Sequence, residues 1–201
     1  MKLFYSQGAC SLSPHIVLAE AGAEFELVKV GRDKQTSDGR DFGSINPYGY
    51  VPALELDDGE ILLEGPAIVQ YIADRFPAAR LAPPNGTIER VRVQSALGLI
   101  NSEIHKAIGG LFAPGLDEAA IQKGIEKIDT RLTQLSAQMQ GNTWMANDTF
   151  SVADIYLYVV TRWLHVFKID INRWPAIAAH HRLVEARPAV RAALRAEGLL
   201  G

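Results

Sequence analysis

The chain carries one cysteine, Cys10, at a position where a thiol could do chemistry. It follows a short strand-like stretch, residues 2–5, and precedes Ser13-Pro14, in which serine suits a helix N-cap and proline suits the first helical position. A thiol just ahead of a helix N-terminus is expected to have a lowered pKa and to favour the thiolate. The alternative is a small buried hydrophobic residue, which many lone cysteines are.

A second group of residues with ligand-binding character lies between Val51 and Gly65. Val51 precedes a proline and is therefore held in extended geometry, which predicts a strand edge whose backbone can meet a ligand. Glu64 and Gly65 stand where a helix is predicted to begin, so the first N–H groups and the helix dipole could receive a carboxylate. The plainer alternatives are an ordinary edge strand and an acidic residue that compensates the dipole.

The elements that must position these residues alternate between strand and helix in the first part of the chain. Strands at 2–5 and 25–30 with a helix at 15–21 between them require a parallel pair with a right-handed crossover. Asp58-Gly59 between two alternating stretches predicts a hairpin, and a helix at 67–73 follows.

The strongest linker signal is Ala82-Pro83-Pro84-Asn85-Gly86, so we place one domain at 1–80 and a second at 87–201. The second domain shows only helical patterns. A stripe from Ile121 to Met139 predicts a helix packed in an antiparallel bundle. Ser151 and Asp154 form a variant of the capping box ahead of a helix that is apolar nearly all round.

Taken together, the order and spacing of these segments resemble the glutathione transferases over essentially the whole chain, and the bacterial beta class most closely. The resemblance implies an α/β thioredoxin-like N-terminal domain (βαβ-αββα) followed by an all-α helical bundle. In that family a valine and a cis-proline precede the third strand. An acidic residue and its neighbour at the next helix then hold the γ-glutamyl end of glutathione. By resemblance, Val51, Glu64 and Gly65 bind glutathione, and Lys34, or Gln35 in an alternative alignment, reaches its glycine carboxylate.

The resemblance also implies a role for Cys10 at the glutathione sulfur. The run Cys10-Ser11-Leu12-Ser13 looks like a thioredoxin-type site in which serine replaces the second cysteine. Such a thiol cannot close an internal disulfide, but it could exchange with an external thiol. In the beta class the matching cysteine lies at the glutathione sulfur, which implies that Cys10 binds glutathione and takes part in catalysis.

The polar run 102–106 has its own counterpart in the beta class, although periodicity alone favours ordinary surface residues and a structural histidine. The resemblance implies that Ser102 and Glu103 reach across a homodimer interface to the partner's glutathione. His105 and Lys106 would face the thiol from their own subunit. Gly98 departs from the family, which has an asparagine contact there.

An acceptor-substrate pocket is implied for the helical domain, with Lys106, Phe112 and Trp163 as candidates for its lining. For the two aromatic residues, plain core packing is the alternative. The sequence has no Gly-rich phosphate motif and no His or Cys spacing for a metal, and His180-His181 is predicted to lie on an exposed helix. No metal is therefore expected, and the resemblance implies glutathione as co-substrate.

The charge and hydropathy of the chain limit its possible partners and location. A net charge of -3 offers no general attraction to nucleic acid or to an anionic membrane. No apolar run approaches the roughly 20 residues of a membrane span, and the N-terminus lacks a signal-peptide pattern. A cytoplasmic protein is expected.

The leading hypothesis is a homodimeric glutathione transferase that joins the glutathione thiolate to small hydrophobic electrophiles. One alternative is a glutathione-dependent thiol-disulfide oxidoreductase or dehalogenase that works through Cys10. Another is a non-catalytic protein that uses the transferase fold to bind a partner.

Overall fold

The computed structural model describes residues 1–200 as two compact units. The first consists of Met1–Ala82 together with the C-terminal segment that begins at Ala186, and the second is Pro83–Glu185. The last helix thus groups with the first unit, whereas the sequence boundaries placed it in the helical domain at 87–201.

The first unit is built on a four-stranded mixed sheet in the order β2-β1-β3-β4. Its strands are β1 Lys2–Tyr5, β2 Glu26–Lys29, β3 Ala53–Glu55 and β4 Ile61–Leu63. β1 pairs with β2 in parallel and with β3 in antiparallel, and β3 and β4 form the predicted hairpin. The helices are α1 Leu12–Glu20, α2 Phe42–Ile45 and α3 Gly65–Arg75, and a 3₁₀ turn, Pro77–Ala79, follows them.

Helix α1 begins earlier than the sequence indicated. Ser11 is its N-cap, and Ser13, which was predicted to cap the helix, is buried inside the first turn. Pro14 is accommodated because the first four N–H groups of a helix have no partner within the helix. The earlier start brings Cys10 to within two residues of the first helical residue.

The C-terminal segment of the first unit ends in the helix Pro188–Ala196. Arg187 just before it makes two hydrogen bonds to Glu20 at the end of α1, of 2.6 and 2.8 Å. Glu197 just after it is buried, and its carboxylate lies 2.8 Å from His15 Nδ1. These contacts between segments far apart in sequence explain why the last helix packs with the first unit.

All the regular secondary structure of the second unit is helical. Its α-helices are α4 Ile88–Leu99, α5 Lys106–Gly109, α6 Glu118–Gln138, α7 Val152–Val166 and α8 Pro175–Glu185, so that the last helix of the chain is α9. A π-helical segment, Ile100–His105, joins α4 to α5, and 3₁₀ turns lie at Gly110–Phe112 and Ile171–Arg173. The predicted fold class, an α/β first domain and an all-α second domain, is confirmed.

Helix α7 is the buried centre of the second unit, and the predicted capping box at its start is confirmed. The Asp154 carboxylate is fully buried and accepts hydrogen bonds from the backbone N–H and the hydroxyl of Ser151. It also accepts from the N–H of Met145 at 2.7 Å and from Nε2 of His180 at 2.9 Å. The prediction that His180 lies on an exposed helix is wrong, because this bond holds the ring in the core.

No helix in the described part of the chain combines the length and the apolar character that spanning a bilayer requires.

Candidate functional site

The loop ahead of β3 presents the backbone of Val51, whose bond to Pro52 is cis. Asn46 builds this loop from inside. Its buried side chain donates to the carbonyl of Tyr50 at 2.6 Å and accepts from the N–H of Tyr48 at 3.0 Å. Sequence reasoning missed this residue, although an asparagine that bonds to its own backbone two residues on is a known turn signal.

Cys10 lies against this loop. Its Sγ donates a hydrogen bond to the carbonyl oxygen of Val51 at 3.3 Å. The loop that carries Cys10 is held by Glu197, whose carboxylate accepts from the N–H of Gly8 at 2.8 Å. The side chain of Ser11 closes the same loop by bonding to both backbone groups of Ser6. The thiol is therefore fixed beside the strand edge at Val51.

Glu64 and Gly65 adjoin the same edge. Helix α3 begins at Gly65, which lies beside Pro52: a Cβ added there would be 3.7 Å from Pro52 Cγ. Glu64 precedes it with φ 67° and ψ 111°, a backbone conformation with positive φ that residues other than glycine rarely adopt. Its exposed carboxylate accepts a hydrogen bond of 2.8 Å from the Tyr50 hydroxyl. Cys10, Val51 and the start of α3 thus lie together, as the sequence predicted.

The expectation that Cys10 favours the thiolate is wrong for this structure. Burial raises the pKa of the Cys10 thiol to about 11. Backbone hydrogen bonds from Cys10 and Ser11 act in the opposite direction, and the nearby Glu64 carboxylate raises the pKa further. The favourable position ahead of α1 is outweighed because burial penalises the charged form of the thiol.

Alkylation tests this pKa directly, because Cys10 is the chain's sole cysteine. We expect its reaction with iodoacetamide, followed by mass spectrometry, to be slow at neutral pH. The rate should rise about tenfold per pH unit up to roughly pH 10, because only the thiolate reacts. The unfolded protein, with an exposed thiol, is the control and should react faster at neutral pH. A rate that has already levelled off by about pH 8 would contradict the raised pKa.

Lys34, the candidate for contacting the glycine carboxylate of glutathione, also lies at this loop. Its Nζ donates a hydrogen bond of 2.6 Å to the carbonyl of Gly49. Lys34 is exposed and adopts a left-handed backbone conformation with φ 65°. The first unit therefore places a thiol, an acid and a helix start beside one strand edge, and a cation at the loop that leads into this edge.

The candidates of the second unit lie on and next to the π-helical segment. Ser102 and Lys106 are exposed. Glu103 is partly buried and forms an ion pair of 2.8 Å with Arg131 of α6. Nδ1 of His105 lies 2.6 Å from the hydroxyl oxygen of Tyr156 on α7. Sequence analysis did not reveal the π-helical geometry, a feature that occurs frequently at functional sites.

Aromatic side chains surround His105 within the second unit. The Trp163 ring lies 4.9 Å from the imidazole, and the Phe112 ring lies 5.7 Å from Trp163. Phe112 is 51% exposed, whereas Trp163 is only 7% exposed. Phe167, which sequence analysis did not select, packs 4.7 Å from Phe112. The two aromatic residues predicted for the pocket are thus in contact, and Phe112 supplies the accessible apolar surface.

Among residues 1–200, no group of three or more His, Cys, Asp or Glu side chains is arranged to hold a metal ion.

Comparisons with known proteins assign the chain to a family. Residues 1–74 match the family model for the N-terminal domain of glutathione S-transferase, and residues 99–188 match the model for its C-terminal domain. GstA, a glutathione S-transferase of Escherichia coli O157:H7, is 40% identical over 99% of this chain and 100% of its own length. The chain belongs to the glutathione S-transferase family.

Solved glutathione S-transferase structures agree with this assignment. A sphingomonad enzyme complexed with glutathione is 49% identical and has a TM-score of 0.96, with 100% of both chains covered. A bacterial beta class enzyme from Sphingomonas chungbukensis is 46% identical, also with a TM-score of 0.96 and full coverage of both chains. The predicted resemblance to beta-class glutathione S-transferases is confirmed.

Proposed function

We propose that this glutathione S-transferase joins the thiolate of glutathione to small hydrophobic electrophiles. The observation that carries the proposal is the grouping of Cys10, the Val51 backbone and the Glu64-Gly65 helix start around one point. The structure of a 49% identical relative in complex with glutathione supports it.

The charges of glutathione match those of the first unit. At neutral pH the γ-glutamyl end carries an ammonium and a carboxylate, and the glycine end carries a second carboxylate. In the proposed complex the Val51 backbone pairs with the peptide, and the Glu64 carboxylate accepts from the ammonium. The N–H of Gly65 at the positive end of α3 donates to the γ-glutamyl carboxylate. Lys34 pairs with the glycine carboxylate. The thiol then lies towards Cys10.

The reaction is a substitution at carbon. The glutathione thiol gives its proton to a base, its sulfur forms a bond to the electrophilic carbon, and the leaving group departs with its bonding electrons. Hydrogen-bond donors at the sulfur stabilise the thiolate and so raise the fraction of reactive anion. Cys10, which the raised pKa keeps protonated, becomes one such donor when its S–H turns from the Val51 carbonyl to the glutathione sulfur. By the beta-class resemblance, His105 and Lys106 face the same sulfur. Phe112 supplies the apolar surface for the electrophile, and Trp163 packs against Phe112.

The beta-class resemblance supports a homodimer as part of this proposal. In it, Ser102 and Glu103 contact the glutathione that is bound to the other subunit. The ion pair with Arg131 would hold the Glu103 side chain in one orientation for that contact. A cytoplasmic location, where glutathione is abundant, also belongs to the proposal.

Two measurements test the proposed function. We expect the purified protein to be retained on immobilised glutathione and to be released by free glutathione. We also expect it to accelerate conjugation of an activated aryl halide, followed by absorbance against the uncatalysed reaction. A protein that binds glutathione but conjugates no electrophile would support the scaffold alternative. Absence of any glutathione affinity would reject the proposed site itself.

The role of Cys10 separates conjugation from thiol exchange. Replacing Cys10 by alanine is expected to leave aryl-halide conjugation within about fivefold of the wild-type rate, because a single neutral donor is lost. Enzyme kinetics of the Cys10→Ala and Cys10→Ser variants, the latter keeping a donor, would measure this. Complete loss of conjugation in both variants would show that the cysteine sulfur itself takes part in conjugation. Loss of disulfide reduction in the variants, with conjugation kept, would assign Cys10 to thiol exchange.

A further inference from the structure

A chain of hydrogen bonds inside the second unit ends at His105. Nδ1 of His105 lies 2.6 Å from the hydroxyl oxygen of Tyr156, and that hydroxyl donates to Oδ1 of Asn101 at 2.9 Å. Tyr156 comes from α7 and is only 3% exposed. Asn101 and His105 both lie on the π-helical segment, four residues apart, so one buried tyrosine contacts both.

Counting protons along this chain determines the form of the imidazole. A tyrosine hydroxyl has a single proton, and here it is donated to an amide oxygen, which can only accept. The Tyr156 oxygen must therefore accept from His105, so Nδ1 of the neutral ring carries the hydrogen. Nε2 then carries the lone pair. A neutral histidine in water prefers the opposite arrangement, with its hydrogen on Nε2.

Ring packing holds the imidazole in this position. The Tyr156 ring meets the His105 ring edge to face at 5.9 Å, and the Trp163 ring meets it in the same manner at 4.9 Å. A ring that packs against two aromatic groups and is hydrogen-bonded at Nδ1 has little freedom to rotate about its side-chain bonds. Both the direction and the basicity of Nε2 are thereby defined.

We propose that Tyr156 and Asn101 are positioning residues that hold His105 as the Nδ1–H tautomer. This makes Nε2 the nitrogen that takes the proton of the glutathione thiol. The inference about the reaction rests on the proposed function, whereas the tautomer itself does not. Tyr156 and Asn101 act only through His105 and touch neither substrate.

The tautomer can be read without any substrate. In protein labelled with ¹⁵N in its histidine rings, long-range ¹H–¹⁵N correlation spectra at a pH where His105 is neutral distinguish the two forms. The His105 signals are assigned by their loss in His105→Gln. We expect the wild-type ring to show Nδ1–H. Asn101→Leu frees the Tyr156 proton to turn towards Nδ1, so His105 should change to Nε2–H. Asn101→Asp keeps an acceptor for Tyr156 and should preserve the wild-type form.

Kinetics then connect the tautomer to the reaction. Tyr156→Phe and Asn101→Leu should each lower kcat for aryl-halide conjugation by about tenfold, a part of the roughly 10²- to 10⁴-fold effect of a positioned base. The KM for glutathione should stay unchanged, because neither residue binds it. Tyr158→Phe is the matched control. Tyr158 lies on α7, as Tyr156 does, and its hydroxyl donates to Glu185. Removing this hydroxyl should change neither the His105 signals nor kcat.

The possible outcomes distinguish the tautomer proposal from the proposed function. A wild-type His105 with its hydrogen on Nε2 would overturn the proposal, whatever the activity. So would variants that change the tautomer and leave kcat at the wild-type value. A wild-type protein that shows Nδ1–H but conjugates nothing would contradict the proposed function instead, and the hydrogen-bond assignment would stand.

Discussion

Replacing Glu64 by glutamine is expected to weaken glutathione binding by about 10- to 100-fold. In the proposed complex the Glu64 carboxylate accepts a hydrogen bond from the γ-glutamyl ammonium. Hydrogen bonds to charged groups contribute about 1.5–3 kcal/mol, which corresponds to this range. Glutamine keeps the size of the side chain and its hydrogen bond with Tyr50, so the loss would report the charge. Calorimetric titration with glutathione measures the affinity.

Two controls accompany this variant. Glu60→Gln makes the same change of charge at an exposed position in the turn of the β3–β4 hairpin and should bind glutathione as the wild type does. Tyr50→Phe removes the hydroxyl that donates to Glu64 and should weaken binding by only a fewfold, because the carboxylate remains. If Glu64→Gln and the wild type bind glutathione with equal affinity, the Glu64 carboxylate does not contribute to the site.

The backbone conformation of Glu64 predicts that this residue lowers the stability of the fold, although its side chain favours glutathione binding. Its φ of 67° belongs to a region that disfavours side chains, and such residues are destabilising by about 1–3 kcal/mol. Glu64→Gly should therefore raise the free energy of unfolding by about 1 kcal/mol while it lowers glutathione affinity. Urea unfolding in the absence of glutathione measures the first effect. A glycine variant that is less stable than the wild type would show that the conformation is not strained.

Replacing Asp154 by alanine is expected to lower the free energy of unfolding by about 3–5 kcal/mol. The fully buried carboxylate accepts hydrogen bonds from Ser151, Met145 and His180. Alanine would leave these donors buried without an acceptor and would also remove half of the capping box of α7, both of which destabilise the native state. Urea unfolding followed by tryptophan fluorescence measures the change.

The matched control for this variant is Asp148→Ala, which removes an exposed carboxylate from the loop ahead of the same helix. Its effect should stay within about 0.5 kcal/mol, as for most surface substitutions. A similar small effect for Asp154→Ala would mean that the buried bonds contribute little net stability. We expect the folded Asp154→Ala protein to retain its glutathione affinity, because the carboxylate lies in the core of the second unit.

Local sequence signals predicted many of the strands and helices, and they marked Val51, Glu64 and Gly65 as ligand-binding candidates. Val51-Pro52 predicted a strand edge because proline restricts the residue before it. The Asp58-Gly59 pair predicted the hairpin, and Ser151 with Asp154 predicted the start of α7. Each signal acts between residues that are neighbours in sequence, so one sequence contains it completely. The roles of these residues towards glutathione remain predictions.

The tertiary structure decided the properties that depend on surroundings. The position of Cys10 ahead of a helix favoured a thiolate, yet burial raises its pKa to about 11, and burial is the sum of contacts from distant segments. His180 was predicted to be exposed, and only the fold shows that it bonds to Asp154, 26 positions away. The tautomer of His105 depends on Tyr156, 51 positions along the chain. Sequence alone determined which groups this protein carries and in what order. Packing determined their protonation, because desolvation and hydrogen bonds between remote segments exist only once the chain has folded.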